Sequence, residues 1–237
     1  MKYTIACVFA HPDDESFGPS GTLIKLAAKG NDVYVITATK GQAGQSSDKI
    51  IKGDLGAHRV KELEKACRIM GIKPPILLDF FDGTLNEHQM PLLKKSILRK
   101  LQRITPDIII IYEKGGISYH LDHIAVTKAV LLLSEENKIK PKKIYYFGIS
   151  KELSILLGRQ NALDESKLAK IDVSDVYETK IAAMKAHGSQ EKDYLRIIKR
   201  FEDMKEQAHG KHYEYFSLAK TTLLHLNYPE ADLLEGL

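Results

Sequence analysis

A chain of 237 residues, 43% of them apolar, can fill the core of one large α/β domain or two small ones. Its formal charge of +4 is small and its charges are interspersed, which argues against a dedicated nucleic-acid surface. The two cysteines, Cys7 and Cys67, form no C-x-x-C pair and read as buried free thiols of a reducing, cytoplasmic compartment, and no run has signal-peptide form or approaches the ~20 apolar residues that span a bilayer.

The first 150 residues alternate strand and helix. Tyr3–Ala10 reads as a buried strand. Ser20 is the predicted N-cap of a helix over Thr22–Lys29, with Gly30 just past its end. Asp32–Thr39, rich in β-branched residues, is a second strand. Residues 41–53 are polar, Gly-rich and aperiodic, which predicts a surface loop. Val60, Leu63, Cys67 and Met70 recur at helical spacing until Gly71. Pro74-Pro75 introduces a short strand, Ile76–Phe80. Leu93, Ile97, Leu101 and Ile104 mark a helix that stops before Pro106. Asp107–Tyr112 is a strongly apolar strand, Asp122 to Ser134 a helix, and Lys143–Ile149 another strand. The lysines of 138–143 are expected in a solvated turn before it. This alternation predicts βαβ units and a Rossmann-like α/β fold, a mostly parallel sheet flanked by helices.

Beyond Ser150 the pattern weakens. Residues 151–170 are polar and irregular, as a lid or an extra hairpin would be. Ile171–Val173 reads as a short strand, and Asp175–His187 and Tyr194–Gln207 read as helices. No repeat, low-complexity tract or linker interrupts the sequence. One domain over 1–237 is therefore expected, a core of about 1–150 carrying a C-terminal elaboration.

Two polar clusters follow predicted strands. Ala10-His11-Pro12-Asp13-Asp14-Glu15 succeeds the first strand; His120-Leu121-Asp122-His123 succeeds Asp107–Tyr112 and a Gly-rich loop. Ligands of open α/β sheets bind at that carboxyl edge. Pro12 stiffens its turn by fixing φ, so His11 and Asp14 can aim at one point with Asp13 beside them. Imidazole plus carboxylate suits a hydrolytic zinc site with three protein ligands and an open position. His123 would be the third ligand, and Asp13 would take the proton of an attacking water. Asp122 could fix an imidazole tautomer, and His120 could donate to a developing oxyanion or leaving group. Taken singly, each cluster also reads as a helix cap, through Asp13 or Asp14 in the first and Asp122 in the second. Their joint placement favours the metal site. Gly18 and Gly21 lack the G-x-G-x-x-G spacing, which argues against a dinucleotide.

The pair A-H-P-D-D-E and H-x-D-H resembles the LmbE/PIG-L family of metal-dependent N-acetylglucosaminyl deacetylases. Gly21-Thr22-Leu23 is similar to the family's G-G-T-L, with Ser20 in place of the first Gly. Arg59, Glu62, Ala66 and Met70-Gly71-Ile72 resemble its R-x-x-E-x-x-x-A…L-G pattern. Phe81-Asp82-Gly83 resembles its D-G element, Lys180, Ala183 and Ala186-His187-Gly188-Ser189-Gln190 its K…A-H-x-S-Q, and Tyr213-Glu214-Tyr215-Phe216 its E-x-F. The likeness covers roughly residues 3–148, with islands at 175–190 and 212–219.

The resemblance implies a Rossmann-like domain that hydrolyses an acetamide. It carries over His11, Asp14 and His123 as metal ligands and Asp13 as general base. His120 matches the residue that stabilises the tetrahedral intermediate or protonates the amine, with Asp122 as its partner. Arg59 and Asp82 match positions that contact substrate in several members. Each also has a plain structural reading, Arg59 as a solvated helix residue, Asp82 as a turn residue, and His187 likewise as a partner of a helix end. Some members carry a mobile Tyr two residues before H-x-D-H; Ser118 stands there, so the role does not pass to Tyr119. His58, His88, His209, His212 and His225 join no constellation and are expected at the surface.

The expected activity is zinc-dependent removal of the acetyl group from an N-acetylglucosamine-type sugar or its conjugate. Fe2+ or Co2+ suits the same N/O site. The alternatives are hydrolysis of another N-acyl linkage and a metal-dependent sugar-binding module, the latter disfavoured because both Asp13 and His120 are present. The expected partner is a small N-acetylated sugar or conjugate, and the resemblance implies a homo-oligomer. Loops 41–53, 81–90, 113–119 and 150–170 are expected to shape specificity.

Overall fold

A computed structural model describes residues 1–46, 54–156, 160–207, 210–223 and 226–237. The apolar runs Thr4–Phe9 (β1), Asp32–Thr39 (β2), Ile76–Phe80 (β3), Ile108–Tyr112 (β4) and Lys143–Gly148 (β5) pair in parallel. Strands covered on both faces read as continuous apolar runs rather than alternations, and Ile5–Phe9 and Ile108–Ile111 are fully buried. The helices are α1 (Asp14–Phe17), α2 (Ser20–Ala28), α3 (Leu55–Met70), α4 (Met90–Ile104), the distorted turn α5 (Gly116–Tyr119), α6 (Leu121–Glu135), α7 (Lys151–Leu156), α8 (Tyr177–Lys185) and α9 (Glu191–Gln207). Asp54 caps α3 by accepting from the Ala57 N–H, and Gly71 ends it in the left-handed region at φ 70°. Helices α2 and α3 pack against α8, and α4 packs against α6.

The sheet has seven strands in the order β3-β2-β1-β4-β5-β7-β6, where β6 is Leu168–Asp172 and β7 is Tyr213–Thr221. The chain winds outward from β1 to β2 and β3, then returns to place β4 on the other side of β1. The carboxyl ends of β1 and β4 therefore flank the point where the winding reverses, which is where open α/β sheets hold their ligands. Both polar clusters follow those two strands.

Several expectations are corrected here. Ser20 lies inside α2, and its hydroxyl donates to the Ser16 carbonyl instead of capping. Part of the segment 151–170 is helix α7 and the start of β6, so the expected strand at Ile171–Val173 begins earlier and ends at Asp172. The sequence reading assigned no strand at 213–221, yet β7 runs antiparallel between β5 and β6. Lys143 is not solvated: it is fully buried, with its ammonium on Glu230 at 2.5 Å and on the Tyr145 hydroxyl at 2.8 Å. His212 is also buried, stacked on Tyr177 at 3.5 Å between ring centroids. Residues 47–53 of the expected loop, His209 and His225 lie outside the described residues. Cys7 and Cys67 are buried free thiols.

Candidate metal centre

The turn after β1 aims two side chains at one point. Asp13 sits in the left-handed region at φ 110°, where few residues other than glycine are at ease, and α1 starts immediately after it. Its side chain makes no capping bond, so the cap reading fails for Asp13. The strain is held from several sides. The Asp13 N–H donates to Glu15 Oε2 at 3.1 Å, and Glu15 in turn is gripped by the His187 ring at 2.9 Å and the Ser16 hydroxyl at 2.6 Å. Asp14 folds back so that its carboxylate accepts the His11 N–H at 2.7 Å.

From the end of β4, the second cluster meets the first. His11 Nδ1 and His123 Nε2 are 3.1 Å apart, His123 Nε2 and Asp14 Oδ1 3.3 Å, and His11 Nδ1 and Asp14 Oδ2 3.6 Å. Ligand atoms about 2.0–2.1 Å from a tetrahedral zinc ion stand roughly 3.3 Å from one another, and these separations are of that order, with Asp14 meeting the two rings through different oxygens. The far nitrogen of each ring is engaged. His123 Nδ1 meets the Gly116 carbonyl at 3.0 Å, and His11 Nε2 meets Asp82 at 2.9 Å and Asp122 at 3.2 Å. Those nitrogens carry the ring protons, because their partners only accept. Two imidazole lone pairs and a carboxylate then face one another, which is a cation site.

Electrostatics agree. Burial disfavours an imidazolium at His11, but the carboxylates of Asp122 and Asp82 outweigh it and push its pKa up to about 10. The surrounding carboxylates thus favour positive charge at this point, a proton on His11 in the metal-free protein or a divalent ion in its place. Burial also opposes ionisation of Asp14, yet His123, His11 and the Tyr112 hydroxyl hold its carboxyl well below the usual range. Tyr112 gained no role from the sequence. Its hydroxyl donates to Asp14 Oδ2 and accepts from the Ala10 N–H, and its ring stacks on His123 at 4.0 Å. An aromatic residue with a polar tip ending an otherwise purely apolar strand was the available signal.

The remaining expected residues fall into two groups. Asp13 and His120 stand beside the triangle. Burial raises the Asp13 pKa, the Arg59 guanidinium opposes that rise, and the Asp14 charge adds to it. His120 has one ring atom within 4.8 Å of those of His11 and His123, and its Nδ1 accepts the Asp122 N–H at 3.2 Å. That leaves its Nε2 as the proton-bearing donor. His120, not Asp122, is thus the N-cap of α6.

Asp122 fixes an imidazole, that of His11 rather than of His120, and Arg59 and Asp82 reach site residues. The Asp122 carboxylate reaches His11 and accepts the N–H groups of Gly83 at 2.8 Å and Leu85 at 3.0 Å, while His120 receives only its backbone. Arg59, 4% exposed, is no solvated helix residue. Its guanidinium donates to the Pro12 carbonyl at 2.6 Å, the Gly41 carbonyl at 2.9 Å and Asp13 Oδ2 at 2.8 Å. Asp82 holds His11 and accepts the Ala43 N–H at 3.1 Å. Both side chains are committed to holding site residues. His187 is fully buried and serves Glu15.

A sequence model of the PIG-L family, GlcNAc-PI de-N-acetylase, matches residues 6–134. The chain is 31% identical over 195 residues to a probable N-acetyl-alpha-D-glucosaminyl L-malate deacetylase 2 of Bacillus cereus, covering 80% of this chain and 84% of that protein. It is 26% identical over 226 residues to a 1D-myo-inositol 2-acetamido-2-deoxy-alpha-D-glucopyranoside deacetylase of Corynebacterium diphtheriae, covering 80% and 77% of the two chains. A conserved protein of Thermus thermophilus shares the fold, with a TM-score of 0.74 and 20% identity over 97% of this chain and all (100%) of that one.

Proposed function

The chain belongs to the PIG-L family, and from that premise we propose that it is a zinc-dependent hydrolase that removes the acetyl group from an N-acetylglucosamine-type sugar or its conjugate. The observation that carries this reading is the meeting of His11 Nδ1, His123 Nε2 and the two Asp14 carboxylate oxygens at 3.1–3.6 Å, flanked by a carboxylate that is not part of the cluster. A zinc ion held there would polarise the acetamide carbonyl and bring the pKa of a water toward ~7. Asp13 takes the proton of the attacking water and delivers it to the leaving nitrogen, so that the C–N bond breaks to give acetate and the free amine. Arg59 holds the Asp13 carboxylate by its Oδ2. His120 offers its Nε2–H to the oxyanion that forms on the carbonyl oxygen. Asp82 and Asp122 fix the His11 tautomer, as the Gly116 carbonyl fixes that of His123.

The test is acetate release from N-acetylglucosamine and from its malate, inositol and β-1,4-linked conjugates, with metal content measured in parallel. Chelation should abolish release and zinc, cobalt or iron(II) restore it. Asp13→Asn should bind metal while kcat falls by ~10²–10⁴, the usual worth of a general base. Undiminished release by metal-free protein would refute the metal-dependent reading.

A further inference from the structure

Glu62 and Ser189 belong to separate sequence motifs, and neither bonds to His11, Asp13, Asp14 or His123. Glu62 stands one turn beyond Arg59 on α3, so the two side chains leave the same face of the helix. It is 7% exposed, and its carboxylate takes two donors from one residue. The Ser189 N–H reaches Oε1 at 2.7 Å and the Ser189 hydroxyl reaches Oε2 at 2.6 Å. Gln190 Nε2 donates to that hydroxyl at 3.2 Å, and His58 Nε2 meets Glu62 Oε1 from the surface at 3.2 Å. Ser189 is fully buried in the turn Gly188–Gln190 between α8 and α9, two residues past His187. His187 grips Glu15, Glu15 accepts the Asp13 N–H, and Arg59 holds the Asp13 carboxylate. The contacts therefore close a ring, from Asp13 through Arg59, Glu62, Ser189, His187 and Glu15 back to Asp13.

Helices α3 and α8 already pack on one another, and a buried carboxylate must give up its hydration to join them. Apolar side chains would hold the two segments at least as firmly. A fork of two short, directional bonds supplies position instead. Position matters most at Asp13, whose backbone is strained at φ 110° and whose carboxylate must meet a water. We infer that Glu62 and Ser189 are positioning residues for the general base: by fixing α3 against the turn after α8, they set the grip on the Asp13 carboxylate and the grip on its backbone N–H as one unit. This role rests on the deacetylase reading, from which Asp13 takes its own. It requires no contact between either residue and substrate.

Acetate release is measured on the metal-loaded full chain, with the two best substrates among N-acetylglucosamine and its malate, inositol and β-1,4-linked conjugates. Ser189→Ala removes the hydroxyl and leaves the N–H bond; Glu62→Gln leaves one acceptor oxygen for two donors. Each should lower kcat about tenfold on both substrates, with KM within about twofold and metal content at the wild-type value, since a displacement of about 1 Å can cost ~10²-fold. The decisive comparison adds each substitution to Asp13→Asn, read as single turnovers with enzyme in excess. With the base gone the two grips have nothing to position, so the residual rate should fall by less than about twofold. Ser189→Ala carries the test alone if Glu62→Gln does not fold. A tenfold loss that persists beside Asp13→Asn would overturn the assignment. So would loss of metal, a rise in KM alone, or a lower urea midpoint with wild-type kcat. Release that Asp13→Asn leaves undiminished, or no release from any of these amides by the wild type, would overturn the deacetylase reading and this role with it.

Discussion

Arg59 was expected to touch substrate, and its geometry makes it a strut for Asp13; the two roles differ in what Arg59→Ala should do. The guanidinium is 5% exposed in its side chain and its carboxylate partner 15%, so solvent screens the pair little. Removing it strips a buried charge of its partner, a change worth about 3–5 kcal/mol of stability, and leaves the Pro12 and Gly41 carbonyls without their donor. Without the guanidinium the Asp13 carboxylate should lose its aim at the attacking water, even with its backbone N–H still on Glu15. We expect kcat to fall by about 10²-fold or more on every substrate, with KM changed little, and the denaturant midpoint to fall with it. Gly41 offers an independent route to the same end. A Cβ there would stand 2.1 Å from Arg59 Nη1, and the position has φ 64°, so Gly41→Ala should displace the guanidinium and reproduce the kcat defect with the charge retained. The assays are steady-state kinetics on two unlike substrates and urea denaturation of metal-loaded protein. A rise in KM confined to one substrate, with kcat and the urea midpoint unchanged, would refute the strut and restore the substrate contact.

Other outcomes follow from the same geometry. His123→Ala should lose metal, whereas His120→Ala should keep it and lose ~10²-fold or more in kcat; metal analysis showing the reverse would exchange their roles. Glu230→Ala should destabilise by roughly 3–5 kcal/mol, because it leaves the Lys143 ammonium buried without its counter-charge, and a wild-type urea midpoint would show that the site relaxes. Burial lowers the His187 pKa, but the Glu15 carboxylate raises it further, above its ordinary 6.5. Protonated in the folded state and losing its proton more readily when unfolded, His187 therefore contributes stability that is full below about pH 6.5 and fades as pH rises through its elevated value. The gap in denaturant midpoint between wild type and His187→Gln should accordingly narrow from pH 6 upward; a gap that widens would mean that His187 is neutral in the fold.

The parts legible in the sequence were those in which one physical signal dominated. Parallel strands buried on both faces give apolar runs that no other element imitates at that length, and Ile108-Ile109-Ile110-Ile111 has no second interpretation. The meeting of the two His/Asp clusters was legible because residues that follow such strands share a sheet edge once β1 and β4 are neighbours. β7 was not, because its inward face carries Glu214. That carboxylate sits 3% exposed, accepting from the Gly21 and Thr22 N–H groups and from Lys180, so a charge occupies a core position and hides the alternation of Tyr213, Tyr215 against Phe216, Leu218. The same mechanism explains Lys143, a lysine in a lysine-rich run that reads as solvent-facing until Glu230, far along the chain, is brought to it.

Arg59, Asp82 and Asp122 show the limit in a different way. Their residue types suit sugar hydroxyls as well as they suit carbonyls, imidazoles and carboxylates, and a sequence lists candidates without saying which partner lies nearer. In the fold the protein's own groups arrive first: Pro12, Gly41 and Asp13 for Arg59, His11 for the two aspartates. Charged side chains 1–7% exposed can recognise substrate through their paired atoms only by giving up those bonds, and of the Arg59 guanidinium it is Nε that is buried without a partner. What recognises the substrate must then be sought among groups that are less completely engaged. Around this triangle those include half-buried aromatic and aliphatic walls on the β5, β7 and α9 side together with Arg196 and Arg200, so substrates of this chain should be compared both in apolar reach and in negative charge.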